Sequence, residues 1–261
     1  MTHQATVLIV LVLTTLVAAS CSDQLPPDPD ADGDGHTAPT EATIAANRAV
    51  LEALDFTDRQ DFEDATKGLI ASDPALRVTS ASGASVWDLS ANEFIEGEAP
   101  ASVNPSLWRQ ARLNNIHGLF KVTEGIYQMR GYDLSNMTLI EGKTGWIVVD
   151  PLTARETAAA AFAFARKHLG ERPIVAMIFT HSHIDHFGGV LGVLTSEGVQ
   201  AESIRIIAPQ GFMDEATSEN IIAGTAMSRR AMFMYGKQLA RSERGHVDSG
   251  LGISPAFGSY G

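Results

Sequence analysis

The stretch Ile178-Phe179-Thr180-His181-Ser182-His183-Ile184-Asp185-His186-Phe187-Gly188-Gly189-Val190 decides how this chain is read. Its centre places three imidazoles and a carboxylate within six residues, directly after the apolar run Ile174 to Phe179. A short apolar run bounded by turn signals reads as a buried strand, so the histidines leave the end of a strand. His181 and His183 alternate along extended backbone and can face one way, while Asp185 and His186 follow at the turn into the next helix. The spacing suits two adjacent metals. Imidazole nitrogens and a carboxylate oxygen are donors that Zn(II) accepts, and ligand type alone also admits Fe, Mn or Co. The bland explanation is a group of hydrogen-bonding surface histidines, and four such side chains at this spacing argue against it.

Working outward, Met137 to Ile140 and Trp146 to Val149 flank the hairpin loop Glu141-Gly142-Lys143-Thr144-Gly145, and Asp150-Pro151 ends the second strand. Thr153-Ala154-Arg155-Glu156 has capping-box spacing, opening an Ala-rich helix that stops at Gly170. A strand, a crossing helix and a strand with ligands at its C-terminal end is a scaffold suited to chemistry. Gly188 and Gly189 allow a tight turn into a helix over Val190 to Leu194. Ser203 to Ala208 reads as a strand, and Phe212 to Leu239 as largely helical with a break near Gly224. Met213, Met227, Met232 and Met234 are expected to fill core rather than line an alkyl-chain pocket.

Upstream, Ala42 to Phe56 has helical periodicity, and Thr57-Asp58-Arg59-Gln60 reads as a capping box for a second helix to about Ile70. Ser85 to Leu89 is a short strand, Ser106 to Asn114 a helix, and Gly118 to Met129 a hairpin around Glu124-Gly125.

The chain has 261 residues, 44% of them hydrophobic, enough for one large core or two modest ones. A formal net charge of -12 argues against a nucleic-acid partner, since no basic stripe exists to neutralise phosphates. It does not bar an anionic substrate, because metal ions reverse the field locally. Val7 to Val17 is apolar and leads to Ala18-Ala19-Ser20-Cys21, small residues ending at the only cysteine. This reads as a lipoprotein signal peptide over 1–21 with Cys21 lipidated, or as an ordinary cleaved secretory signal; either exports the protein. The expected location is periplasmic, anchored by lipid to an outer membrane. Ser22 to Glu41 reads as an acidic tether. Within it Asp30, Asp32, Asp34, Gly35 and Glu41 have the spacing of a calcium loop, although Pro26, Pro27 and Pro39 oppose that fold.

The His-x-His-x-Asp-His spacing after a strand resembles the signature of the metallo-β-lactamase superfamily. Four segments together resemble its alkylsulfatases: the quoted stretch, Asp61-Phe62-Glu63-Asp64-Ala65, Arg130-Gly131-Tyr132-Asp133-Leu134-Ser135-Asn136, and Ser218-Glu219-Asn220-Ile221-Ile222-Ala223-Gly224 with Ala226-Met227-Ser228-Arg229-Arg230. The resemblance runs from about Asn47 to Gly252. It implies an α/β (α+β) metallo-β-lactamase-like αββα sandwich, here reaching only through its first half, over 111–261, preceded by a helical segment over 42–110. It implies hydrolysis of linear primary alkyl sulfate esters by metal-activated water on two Zn ions. His181 and His183 would hold one metal, and Asp185, the catalytic carboxylate, would hold the second with His186. Asn220, Arg229 and Arg230 would hold the sulfate group. The remaining glutamate and histidine ligands of the family, its dimerisation domain and its sterol-carrier-like domain have no counterpart in this sequence, so the family's homodimer is not expected here, and the chain alone is expected to be a poor catalyst that exposes the apolar faces of Trp146 to Val149 and Ile174 to Phe179. Glu219 and His246 are the residues that would have to substitute. Two other readings stand beside this one: a different hydrolase of the superfamily, acting on β-lactams or thioesters, and a non-enzymatic lipid-anchored metal or ligand binder.

Overall fold

A computed structural model describes residues 35–194, 204–236, 238–252 and 258–260. Two compact units are distinguished, Met1–Thr37 and Ala38–Gly261, and the description below concerns the second. Residues 1–21, read above as a signal peptide, with Cys21 among them, and the aspartates Asp30, Asp32 and Asp34 lie outside the described residues.

Seven strands form one sheet in the order β1 (Leu69–Ala71), β4 (Gly118–Thr123), β5 (Ile126–Arg130), β6 (Met137–Glu141), β7 (Trp146–Val149), β8 (Ile174–Ile178) and β9 (Arg205–Ile207). From β1 to β7 each neighbouring pair is antiparallel, as tight turns such as Glu124-Gly125 permit. Helix α4 (Arg155–Leu169) then carries the chain back, so β8 joins β7 in parallel with Val149 opposite Ile178. Strand β9 adds in parallel beyond it. A separate hairpin pairs β2 (Arg77–Thr79) with β3 (Ser85–Asp88).

Period-two patterning places Met137, Leu139, Trp146 and Val148 on one face, all nearly inaccessible to water, against Ala158, Ala161, Phe162 and Ala165 of α4. Val78, Val86 and Trp87 of the small hairpin join the same core. The alternate residues Thr138, Ile140, Ile147 and Val149 are half-buried on the other face. A second, smaller core gathers Ile95, Val103, Ala111 and Val247 around Trp108 of α3 (Pro105–Asn114).

Several expectations need correction. The 42–110 segment is not simply helical: α1 (Glu41–Ala53) and α2 (Gln60–Thr66) are followed by β1, β2 and β3. Residues 69–71, read as the end of a helix, instead pair with β4, because the edge of the sheet offers backbone partners that a helix end lacks. Neither capping box forms. Asp58 accepts from the Gln60 N–H at 2.9 Å, and the Thr57 hydroxyl is drawn back to Asp55 at 2.6 Å. Thr153 is buried and donates its hydroxyl to Asp133 at 2.7 Å. Gly188 and Gly189 do turn the chain into the helix that starts at Val190, as expected, and they also permit a close approach: a Cβ on Gly189 would lie 2.2 Å from the Pro151 carbonyl oxygen. The four methionines expected to fill core do not: beyond the short α5 (Val190–Val193), Met213, Met232 and Met234 are exposed and Met227 half-buried on α6 (Phe212–Thr217) and α7 (Gly224–Tyr235), which flank a π-helical stretch, Ser218–Ile222, where the sequence suggested a break.

Candidate metal centre

Parallel pairing of β7 and β8 brings their C-terminal ends together, so the residues that follow each strand meet. Asp150 follows β7 and Thr180 follows β8. The Asp150 carboxylate accepts the Thr180 N–H at 2.8 Å and the Thr180 hydroxyl at 2.7 Å. The chain reaches this position through a strained turn: Asp150 and Leu152 have φ of 54° and 67°, a region that aspartate tolerates and leucine rarely adopts. Leu152 is fully buried, and its carbonyl accepts the Gly189 N–H at 2.9 Å, which ties the turn to the far end of the histidine loop.

The loop folds back on itself, with Ile184–His186 forming one 3-10 turn. The rings of His181 and His186 lie 4.0 Å apart between centroids, and those of His181 and His183 4.6 Å. His186 Nδ1 sits 2.8 Å from Asp150 Oδ2, and its Nε2 sits 3.2 Å from Asp185 Oδ2. Two donors bound to one metal at about 2.0–2.2 Å each stand roughly 3.0–3.5 Å apart at right-angle to tetrahedral geometry, so Asp185 and His186 have the separation of ligands on a shared ion. His183 Nε2 and Glu219 Oε1, 3.4 Å apart, have it too. The Asp185 carbonyl is held from behind by the Ser135 hydroxyl.

Hydrogen bonding sets which nitrogens face outward. The Thr180 hydroxyl spends its one proton on Asp150, so at 2.9 Å from His181 Nδ1 it acts as an acceptor and Nδ1 carries the hydrogen. His181 Nε2 is thereby left with its lone pair. Asp150 does the same for His186 by accepting from Nδ1. One carboxylate thus orients two imidazoles, the arrangement by which outer groups fix the tautomer of metal-binding histidines.

Burial raises the pKa of both Asp150 and Asp185, but hydrogen bonds and the charge of His186 outweigh it and hold both below the usual carboxylate range. For His186 burial acts downward, and the two carboxylates override it, lifting the imidazole to about 9. Burial, then the charges of His186 and His183, lower His181. Without a metal, a proton on His186 neutralises the carboxylates. Among the described residues no group of three or more His, Cys, Asp or Glu side chains is arranged around a single ion. The donor chemistry fits divalent metal in pairs: Asp185 with His186, and His183 with Glu219 beside His181.

Of the other predicted residues, Asn220 turns its amide to the Ala216 carbonyl of its own helix at 2.8 Å. Arg229 and Arg230 are exposed on α7. Among the described residues, the ion pair from this helical region to the histidine loop runs through Glu219. His246 is buried in the sequence next to Val247 of the second core, with its N–H bonded to the Ala240 carbonyl. Asp150 and Thr180 were missed as site residues, because an aspartate before proline reads first as the end of a strand. The signal that could have found them is the parallel pairing, which places the residue after β7 beside the loop after β8.

The family model for the metallo-beta-lactamase superfamily matches residues 130–246. A linear primary-alkylsulfatase of Pseudomonas sp is 51% identical over 84% of this chain and 33% of its own length. An alkyl/aryl-sulfatase of Saccharomyces cerevisiae is 47% identical over 84% of this chain and 34% of its own. The solved structure of the stereoselective inverting sec-alkylsulfatase Pisa1 from Pseudomonas sp. superposes with a TM-score of 0.80 at 47% identity, covering 84% of this chain and 35% of that one. This chain therefore spans about a third of the length of each of these relatives.

Proposed function

The chain belongs to the alkylsulfatases of the metallo-β-lactamase superfamily, and on that premise we propose that it takes part in the hydrolysis of linear primary alkyl sulfate esters to alcohol and sulfate. The observation that carries the reading is the Asp185 and His186 donor pair, 3.2 Å apart, at the strand end of a chain 51% identical to a linear primary-alkylsulfatase. A metal bound here would make water nucleophilic near neutral pH. His181 and His183 would hold one ion and Asp185 and His186 a second, with Zn(II) the ion that their donor atoms suit. Asp150 orients both imidazoles so that His181 Nε2 and His186 Nε2 turn toward the ions, His186 exchanging its Nε2 proton for the metal, and Glu219 adds a carboxylate beside His183. Arg229, Arg230 and Asn220 remain the candidates for holding the sulfate group, which asks Asn220 to leave its bond to Ala216. Export with Cys21 acylated belongs to the same reading; mass spectrometry of the mature N-terminus tests it.

Sulfate release from decyl sulfate, followed by ion chromatography on the Zn-loaded chain, tests the activity. Release that stops with a chelator and with Asp185→Ala is expected. A chain that retains its metal yet releases nothing above the metal-free blank contradicts the proposal.

A further inference from the structure

Away from the metal centre, three arginines gather around one phenylalanine ring. The guanidinium carbons of Arg59, Arg109 and Arg112 stand 4.2, 5.2 and 5.1 Å from the centroid of the Phe62 ring. Arg109 is paired, to Asp61 at 2.7 Å, and donates to the Asp58 carbonyl. Arg59 and Arg112 have no carboxylate within ion-pair distance among the described residues. Cation-π contact with a shared ring contributes roughly 0.5–1 kcal/mol and does not cancel the repulsion between Arg59 and Arg112. On a chain of net charge -12 this cluster is against the trend.

The arginines line a cavity of about 420 Å³ between α1, α2 and α3, within the roughly 300–1,000 Å³ of small-molecule pockets. Its remaining wall is largely apolar: Leu51, Phe56, Pro105 and Trp108, with Glu98 the one carboxylate that lines it. Trp108 closes the floor of the cavity from within the second core, its indole N–H donated to the Gly97 carbonyl. A second cavity of about 190 Å³ shares Leu51, Ala99 and Pro105 and is lined further by Ile44, Val103, Asn47 and Arg48. Arginines beside the apolar wall of Leu51, Phe56 and Pro105 define the ligand chemistry. We propose that this groove binds a single-chain amphiphile with an anionic head, the head between Arg59 and Arg112 and the chain along Leu51, Phe56 and Pro105. Guanidinium groups suit the oxygens of a sulfo or carboxyl head, and the channel removes the alkyl chain from water. The proposal does not depend on the metal centre being catalytic.

Decanesulfonate, which has no ester bond to hydrolyse, is the probe, titrated calorimetrically below its micelle concentration into the full 261-residue chain. Saturable binding is expected, weakened at least tenfold by Arg59→Ala with Arg112→Ala, weakened similarly when decanol replaces the sulfonate, and unchanged by His183→Ala. Absence of binding, equal affinity in the double arginine variant, equal affinity for decanol, or loss in His183→Ala would each overturn it. Should the double variant fail to fold, a photo-reactive alkylsulfonate settles the matter on the wild-type chain. Labelling within 51–62 and 97–112 supports the groove, and labelling confined to other segments refutes it.

Discussion

Asp150 is the residue on which the centre turns, because its two oxygens serve Thr180 and His186 and, through Thr180, His181. Asparagine also tolerates the left-handed backbone found there, so Asp150→Asn removes the charge without forcing a new turn. Zn(II) affinity measured against a chromophoric chelator should fall about 10- to 100-fold, the usual effect of losing an outer partner of a metal ligand. Unchanged affinity with an unchanged circular dichroism spectrum would deny Asp150 this role. Gly189 makes a contact of a different kind. A methyl group there would meet the Pro151 carbonyl oxygen at 2.2 Å and the Ala158 side chain at 2.7 Å, so Gly189→Ala should cost about 1–3 kcal/mol in a urea melt. A neutral substitution would mean that the Asp150–Leu152 turn moves freely, and with it the orientation of the histidines.

Among the elements, α4 shows what could and could not be read beforehand. Its Ala-rich body and its stop at Gly170 were legible from composition and from the glycine, which has φ 90°. Its start was not. The sequence offered Thr153 as a local cap, whereas the donors at this end converge on Asp133, twenty residues earlier: Thr153 N–H, Ala154 N–H, and the hydroxyls of Thr153 and Thr157. A carboxylate brought in by tertiary structure displaces a local cap because it satisfies several buried donors at once, and spacing along the chain cannot reveal it. Asp133→Asn should therefore lower stability by about 2–3 kcal/mol, read as a shifted urea midpoint. No shift would return the capping role to Thr153. The same limit hid β1, whose three residues make no strand except against β4. The hairpins and the β7, α4, β8 unit were readable because turn glycines and period-two apolar residues are local signals. The four donors on the loop were likewise evident in the sequence. Their division into pairs, and the approach of Glu219 to His183, depend on where α6 and the π-helical turn lie.

Across the whole molecule, the apolar strands β7 and β8 are covered on one face, where Trp146, Val148 and Met177 are almost inaccessible, and half-covered on the other. Among the described residues, apolar exposure is greatest at Ile221, Ile222 and Phe233. The second core gives the molecule a pH response separate from the metal centre. Burial, then the charge of Arg241, depress the His246 imidazole, whereas the unfolded chain protonates its histidines near pH 6.5. A depressed histidine contributes stability that is present above the unfolded value and lost as pH falls below it. His186, raised in the metal-free chain, acts in the opposite sense, so the comparison is made between wild type and His246→Gln under the same conditions. The wild-type urea midpoint should fall more than that of the variant between about pH 7 and pH 5. Parallel falls would exclude His246 as the source. The central claim is that the loop after β8 is a metal centre, and elemental analysis after Zn(II) loading and dialysis tests it most directly. The account predicts bound zinc in the wild-type chain and clearly less in both His183→Ala and Asp185→Ala, with the far-ultraviolet circular dichroism spectrum unchanged; equal zinc in all three would contradict it.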